Sequence, residues 1–300
     1  MTAAGNPAVA TSAGRPLAGG RRLSLDWLGA VPFLAYVGLF LLLPSAIVGF
    51  GAFFNADSTF TLENFGHLSR SYVVRATIDT TVISAVTALA GAALGALLAY
   101  AIVTGSPNGL LRRLVVSASG VLAQFGGVTL AFAFIASIGP AGFVYLFAQA
   151  HGLDYYAHGI WLFERSGLGL VYLYFQIPLM VLVFLPALDG IKPQWREATE
   201  SLGGSTWHYW RHIAGPILFP SFLGAARLLF ANAFSAYATA QALINQGQPM
   251  LSQQIAGALS SEVGAVEPGF AKAIAIEMIV IVTLVTVLYS LLQRRTSRWL

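Results

Sequence analysis

The stretch REATESLGGSTWHYWRHIAGPILFPS, Arg196–Ser221, holds four charged residues, two histidines and two tryptophans, in a chain that is 57% hydrophobic and 9% charged. Just upstream, Pro193 suits the first turn of a helix, and PQWREATESL is made of residues that favour helix. Gly203-Gly204 breaks that pattern. Ser205 is placed to cap a second short helix, STWHYWRHI. Pro216 and Pro220 then bracket the entry to the next apolar run. The reading is a helix–turn–helix held between two apolar segments, with acids and aromatic rings available to a soluble partner.

The rest of the chain explains what those segments are. A soluble domain carries about 25% charged residues; this chain has far fewer, and its mean hydropathy is +0.72. A bilayer core takes about 20 apolar residues per helix. Six runs meet that length: Trp27 to about Phe54, Thr80 to Thr104, Leu114 to Ile138, Gly167 to Leu188, Ile217 to Tyr237 and Phe270 to Leu292. The first is too long for the apolar core of a signal peptide, and Pro44 is expected to kink it. The second is rich in Ala and Gly, which predicts close approach of neighbouring helices. Residues 1–23 read as a disordered cytoplasmic tail, and residues 24–300 as one transmembrane domain. In the loop after the third run, GFVYLFAQ is too short to span and reads as a re-entrant or interfacial helix.

Lys and Arg are retained on the cytoplasmic side of a membrane protein. With the N-terminus inside, Arg15, Arg21, Arg22, Arg112, Arg113, Lys192, Arg196, Arg211, Arg294, Arg295 and Arg298 are cytoplasmic. Only Arg70, Arg75 and Arg165 fall outside, so both termini are expected in the cytoplasm. The basic residues flank apolar runs and form no single stripe, which argues against nucleic acid despite the net charge of +4. Cysteine is absent, which excludes disulfides and thiolate chemistry. His208 and His212 are four apart without the H-E-x-x-H pattern, so no metal site is expected.

In this setting the opening segment carries a resemblance. Glu197-Ala198-Thr199, Gly203 six residues after the Glu, and GPILFP at Gly215–Pro220 resemble the EAA loop of ABC importer permeases of type I. The six spans, and the place of the loop between the fourth and fifth, are similar too. Thr199 and Gly204 stand where Ala is usual, and Gly215 where Leu is typical. The resemblance implies an all-α membrane protein in a bacterial cell membrane. It also implies that the loop, about residues 189–217, is a pair of coupling helices docking on an ATPase subunit. Arg196, Glu197, Ala198, Glu200, Gly203, Trp207 and Tyr209 are then the coupling residues: polar contacts, the turn and apolar anchors. The partners implied are two ATPase subunits that bind ATP and Mg, a second permease, identical or related, and an extracytoplasmic substrate-binding protein. Leu202-Gly203-Gly204 is closer to the L-G-A turn of polyamine-, iron- and phosphonate-type permeases than to the D-G-A of sugar permeases. The substrate expected is a polyamine or another small charged solute.

No G-x-x-x-x-G-K-[ST] stretch occurs, so ATP binding by this chain itself is not expected. Charges at membrane depth are costly and mark function or a structural pair. Arg227 and Glu277 qualify; counted along their spans they lie at similar depth and either pair or line a pathway. Gln124, Phe125, Asn232 and Tyr237 join them as candidate pathway residues, with Gln241, Asn245 and Gln246 near the outer gate. Two other classes compete. An ion-coupled secondary transporter calls for an internal repeat, which is not found. A polytopic membrane enzyme calls for a cluster of ionisable groups at one depth, which only Arg227 and Glu277 offer.

Overall fold

A computed structural model of the chain describes residues 29–55, 59–105, 109–244, 250–260 and 267–296. The expected tail, and Asn245 and Gln246, lie outside the described residues. Contacts divide the chain into two compact units, Met1–Ile47 and Val48–Leu300.

The first unit contributes most of helix α1, Val31–Gly51. This helix passes through a π-helical stretch, Gly38–Leu42, just before Pro44. Proline has no N–H for the carbonyl four residues back, and the wider turn absorbs that loss. Ser45 Oγ donates to the Leu41 carbonyl at 2.7 Å. Pro44 therefore goes with a local change of helix type.

The second unit is helical throughout its described residues, apart from loops and one isolated bridge between Phe54 and Phe60. Its α-helices, in order, are α2 Glu63–Gly66, α3 Ser71–Val103, α4 Leu110–Leu122, α5 Gly127–Ile138, α6 Phe143–Ala150 and α7 Arg165–Asp189. They are followed by α8 Pro193–Ser201, α9 Thr206–Tyr209, α10 Gly215–Phe234, α11 Tyr237–Leu243, α12 Leu251–Leu259 and α13 Pro268–Thr296. Among the described residues six runs are long and apolar enough to cross a membrane: Val31–Gly51, Ser71–Val103, Gly127–Ala150, Arg165–Asp189, Thr206–Phe234 and Pro268–Leu292.

Helices α3 and α7 form the most extensive contact, and α10 packs on both. Glycines make this possible. A Cβ on Gly95 would lie 2.5 Å from Met180 Cβ and 2.7 Å from the Ile177 carbonyl; one on Gly91 would lie 2.9 Å from Gln176 Cβ. Between helices in lipid such close packing replaces the hydrophobic drive available in water. Gly95→Leu is expected to push α3 off α7 and cost about 1–3 kcal/mol, the usual range for overpacking. Thermal unfolding of the purified chain in detergent checks this.

Charges fasten both ends of α7. Arg165 Nη2 meets Asp79 Oδ2 of α3 at 2.5 Å, and Asp189 Oδ2 meets Arg112 Nη2 of α4 at 2.5 Å. A cation at a helix N-terminus and an anion at its C-terminus both oppose the helix dipole; here each has a partner from a neighbouring helix. Helix α3 begins at Ser71, nine residues before the expected Thr80.

Two expectations need correction. The third run is not one helix from Leu114 to Ile138. Gly126 is fully extended and Gly127 has φ +72°, so α4 and α5 are separated by a break at residues 123–126. The third long run is Gly127–Ala150. The carbonyl of Ile138 at the end of α5 accepts the phenols of Tyr155 at 3.0 Å and Tyr156 at 2.7 Å. Burial pushes the Tyr156 phenol up to about 12, still further from ionisation at neutral pH than an ordinary phenol.

Second, Arg227 and Glu277 are not level, and of the two alternatives left open for them pairing is not seen. Glu277 Oε1 accepts from Thr77 Oγ1 of α3 at 2.8 Å. Arg227 lies over the ring of Tyr289 at 5.1 Å. Glu277 and Tyr289 are twelve residues apart on α13, about 18 Å along a helix axis. The depth count failed because it took the outer ends of α10 and α13 as level: Arg227 is seven residues from Phe234 and Glu277 nine from Pro268, yet Arg227 sits at Tyr289. After Phe234 the chain folds back into the bundle. There the Leu251 N–H donates to Thr80 Oγ1 at 2.9 Å, and Tyr172 Oη donates to the Ala236 carbonyl at 3.1 Å. Met250 and Leu251 are buried.

Candidate functional site

Helix α8 begins at Pro193, as its sequence requires, and ends in a closed C-cap. The Gly203 N–H donates to the Glu200 carbonyl at 3.0 Å and the Gly204 N–H to the Thr199 carbonyl at 2.9 Å. Gly203 has φ +77°. This is the Schellman arrangement, in which a left-handed residue after the helix lets two N–H groups turn back onto its last carbonyls. Ser205 Oγ then accepts from the His208 N–H at 3.4 Å and starts α9. Beyond Tyr209 the helix widens into a π-helical stretch, Trp210–Ala214, and continues as α10. Pro216 and Pro220 thus sit within one helical run, Thr206–Phe234, where a separate entry turn was expected.

Two of the three positions that depart from the resemblance are in contact. A Cβ on Gly204 would lie 2.6 Å from Thr199 Cγ2 and 2.9 Å from the Thr199 carbonyl oxygen. The Thr199 methyl therefore takes space that an alanine at 204 would need. Gly204→Ala alone is expected to loosen the cap, lowering amide protection at the end of α8 by about tenfold, within the cost of overpacking. Thr199→Ala with Gly204→Ala should recover only the part due to the methyl, since the backbone carbonyl at 2.9 Å remains. Hydrogen-exchange mass spectrometry on the single and double variants measures the coupling.

The cap presents a projecting knob. Leu202 is 89% exposed and Trp207 67%. Arg196, Glu197, Ala198, Glu200 and Gly203 are exposed as well. Arg196 Nε pairs with Glu200 Oε1 at 3.0 Å, one helical turn away. Tyr209 differs from the anchors beside it: it is 8% exposed and packs edge-on against Trp210 at 5.9 Å. Trp210 in turn meets the Tyr100 ring of α3 at 5.2 Å. Tyr209 and Trp210 fix the knob to the bundle, while Leu202 and Trp207 face outward. Leu202 was not singled out from the sequence; its place next to the turn glycine was the available signal.

A second cluster forms where two helical breaks meet. Thr239 Oγ1 of α11 donates to the Gly127 carbonyl at the start of α5 at 3.3 Å, and a Cβ on Gly127 would touch Ala238 at 3.7 Å. Gln124 and Phe125 lie in one break; Asn232 and Tyr237 flank the other. All four are exposed in the single chain. Arg227 and Glu277 are not part of this cluster. Glu277 Oε2 is buried without a hydrogen-bond partner, and the Tyr289 phenol beneath Arg227 donates to the Pro220 carbonyl at 2.7 Å. Among the described residues no group of three or more His, Cys, Asp or Glu is placed to hold a metal ion.

Residues 143–298 match a family model described as binding-protein-dependent transport system inner membrane component. A 115-residue stretch is 28% identical to the thiamine transport system permease protein ThiP of Escherichia coli strain K12, covering 37% of this chain. The match spans 20% of that relative's length. Two solved structures share the fold over most of the chain. The first is a bacterial ABC transporter involved in the import of the acidic polysaccharide alginate, with a TM-score of 0.73 and 18% identity over 90% of this chain and 95% of that one. The second is the MetNI methionine ABC transporter in inward-facing conformations, with a TM-score of 0.56 and 14% identity over 79% and 99%.

Proposed function

The chain belongs to the family of binding-protein-dependent transport system inner membrane components, and on that premise we propose that it forms half of a solute pathway driven by ATP bound elsewhere. It is the membrane permease component of an ABC importer. The observation that carries the finer reading is the knob: a rigidly capped turn that holds Leu202 and Trp207 exposed beside the acids of α8. A large apolar pair held out on a rigid turn fits a surface that another subunit covers. In this reading two ATPase subunits, each with ATP and Mg, take up the knobs of this chain and of a second permease, identical or related. Closure of the ATPases moves the knobs, and the spans rock between outward- and inward-facing states. The excess of Lys and Arg near the knob supports a cytoplasmic knob and cytoplasmic termini in a bacterial inner membrane. An extracytoplasmic binding protein would deliver the solute to the opposite face.

The pathway is assigned to the junction of the two breaks. Discontinuous helices in transporters mark solute sites because their ends expose polar backbone. Phe125 and Tyr237 offer ring faces and Gln124 and Asn232 offer amides, a set suited to a small organic cation, the polyamine class included. Arg227 and Glu277, turned into helix contacts, are assigned to packing. The test is uptake by the chain reconstituted with its ATPase, partner permease and binding protein. Uptake should require ATP and persist without an ion gradient. Tyr237→Ala should weaken the apparent solute affinity at least fivefold, about the worth of one cation–ring contact, while Glu277→Gln leaves it within about twofold. The reverse pattern would move the pathway to α13.

A further inference from the structure

At the end of the bundle that carries the knob, two cavities lie side by side. One is a groove of about 570 Å³ between α3, α7 and α10, lined by apolar side chains such as Ala93, Leu97, Phe184 and Phe222 and by no charged residue. The other, about 140 Å³, lies between the knob and the end of α3, where Arg196, Thr206 and Tyr209 line it. Tyr100, Leu188 and Trp210 line both, so the two adjoin across these three side chains.

The small cavity is rich in donors. Glu200 occupies only Nε of Arg196, and among the described residues the two terminal guanidinium nitrogens have no partner. Among the described residues the hydroxyls of Tyr100, Thr206 and Tyr209 donate to no protein acceptor. No carboxylate lines the cavity. Free guanidinium nitrogens beside hydroxyls suit a phosphate group. The groove that adjoins it follows α3 from Ala93 to Tyr100, about 10 Å of helix axis, and suits a hydrocarbon chain. A phosphate and a hydrocarbon chain joined at this spacing describe one class of molecule.

We propose that an anionic phospholipid binds here, its phosphate at Arg196, Thr206 and Tyr209 and the upper part of one acyl chain in the α3–α7–α10 groove. Because the headgroup site is built from the knob on one side and α3 on the other, the bound lipid braces the knob against the bundle. This goes beyond the transport reading, and its test needs no ATPase subunit. The headgroup is held by charge and the chain by apolar contact, so the two halves can be removed separately.

The experiment uses the full chain in detergent, stripped of lipid and exposed to dioleoylphosphatidylglycerol or dioleoylphosphatidylcholine, with retained lipid counted by native mass spectrometry. Glycerol 3-phosphate serves as the headgroup without a chain. The wild-type chain should retain the anionic lipid at least about fivefold over the zwitterionic one, the worth of one cation near an anionic lipid surface. Arg196→Gln should bring the two lipids within about twofold, and Ala93→Phe, which fills the groove, should lower retention of both. Thr206→Val, a near-isosteric change that removes a donor to the phosphate both lipids carry, should lower retention of both even if Arg196→Gln folds poorly. Millimolar glycerol 3-phosphate should not displace the lipid. Unchanged preference in Arg196→Gln, or unchanged retention in Thr206→Val or Ala93→Phe, overturns the proposal. Full displacement by glycerol 3-phosphate would also overturn it, in favour of a site for soluble anions.

Discussion

Gly203→Pro is expected to cut ATP-driven uptake at least tenfold while the chain still inserts in the membrane at normal level. The reason is local. Gly203 has φ +77°, whereas proline is fixed near −65°. Its N–H also closes the cap onto the Glu200 carbonyl, and proline has none to give. Both losses fall between α8 and α9 and away from the spans, so insertion and the α3–α7 contact are untouched. The knob then no longer holds Leu202 and Trp207 in one geometry, and force from a docked subunit is lost in a loose turn. Parallel assays of uptake, ATP hydrolysis and membrane yield measure this. Hydrolysis that continues without uptake is the expected signature. Normal uptake would show that the turn does not transmit force.

The second large effect is expected at the exposed tip. Leu202→Asp is predicted to weaken binding of the ATPase subunit about 30-fold or more, because burying a leucine side chain is worth about 1.5–3 kcal/mol and a buried unpaired carboxylate adds to the loss. Trp207→Ala should cost at least about 2 kcal/mol if that ring is an interface anchor. Tyr209→Phe is the contrast: the ring is already covered by this chain's own residues, so binding should change by less than threefold. Affinity measured in nanodiscs by surface plasmon resonance separates the three. Equal losses at all three positions would mean that the bundle, not the tip, was damaged.

Much of the fold was legible because lipid imposes a simple rule. Six apolar runs of the right length follow from hydropathy alone, and the Ala- and Gly-rich second run foretold the close α3–α7 contact at Gly91 and Gly95. What escaped depended on where the chain turns inside the membrane. The Gly126-Gly127 pair was visible, yet a helical break at that depth costs backbone hydrogen bonds unless protein covers it. The cover comes from α11, over a hundred residues later. The depth count went wrong for another reason: the outer ends of the fifth and sixth spans were taken as level, and Arg227 lying over Tyr289 shows that they are not. At the knob, the turn glycine and the Ser205 cap were readable from local chemistry. The burial of Tyr209 was not, since Trp210 is its chain neighbour but Tyr100 of α3 completes the cover. Thr199 and Gly204 read as two separate departures in sequence and become one compensated contact only when the cap closes.

The central claim is that the Leu202 tip faces the cytoplasm and is covered by an ATPase subunit. The chain contains no cysteine, so Leu202→Cys provides a single thiol at the tip. A membrane-impermeant maleimide should leave that thiol unmodified in intact spheroplasts. In inverted vesicles stripped of the ATPase it should label fully, and adding the ATPase subunit back should protect it. Labelling from outside the spheroplast, or labelling in inverted vesicles that the ATPase does not slow, would contradict the account.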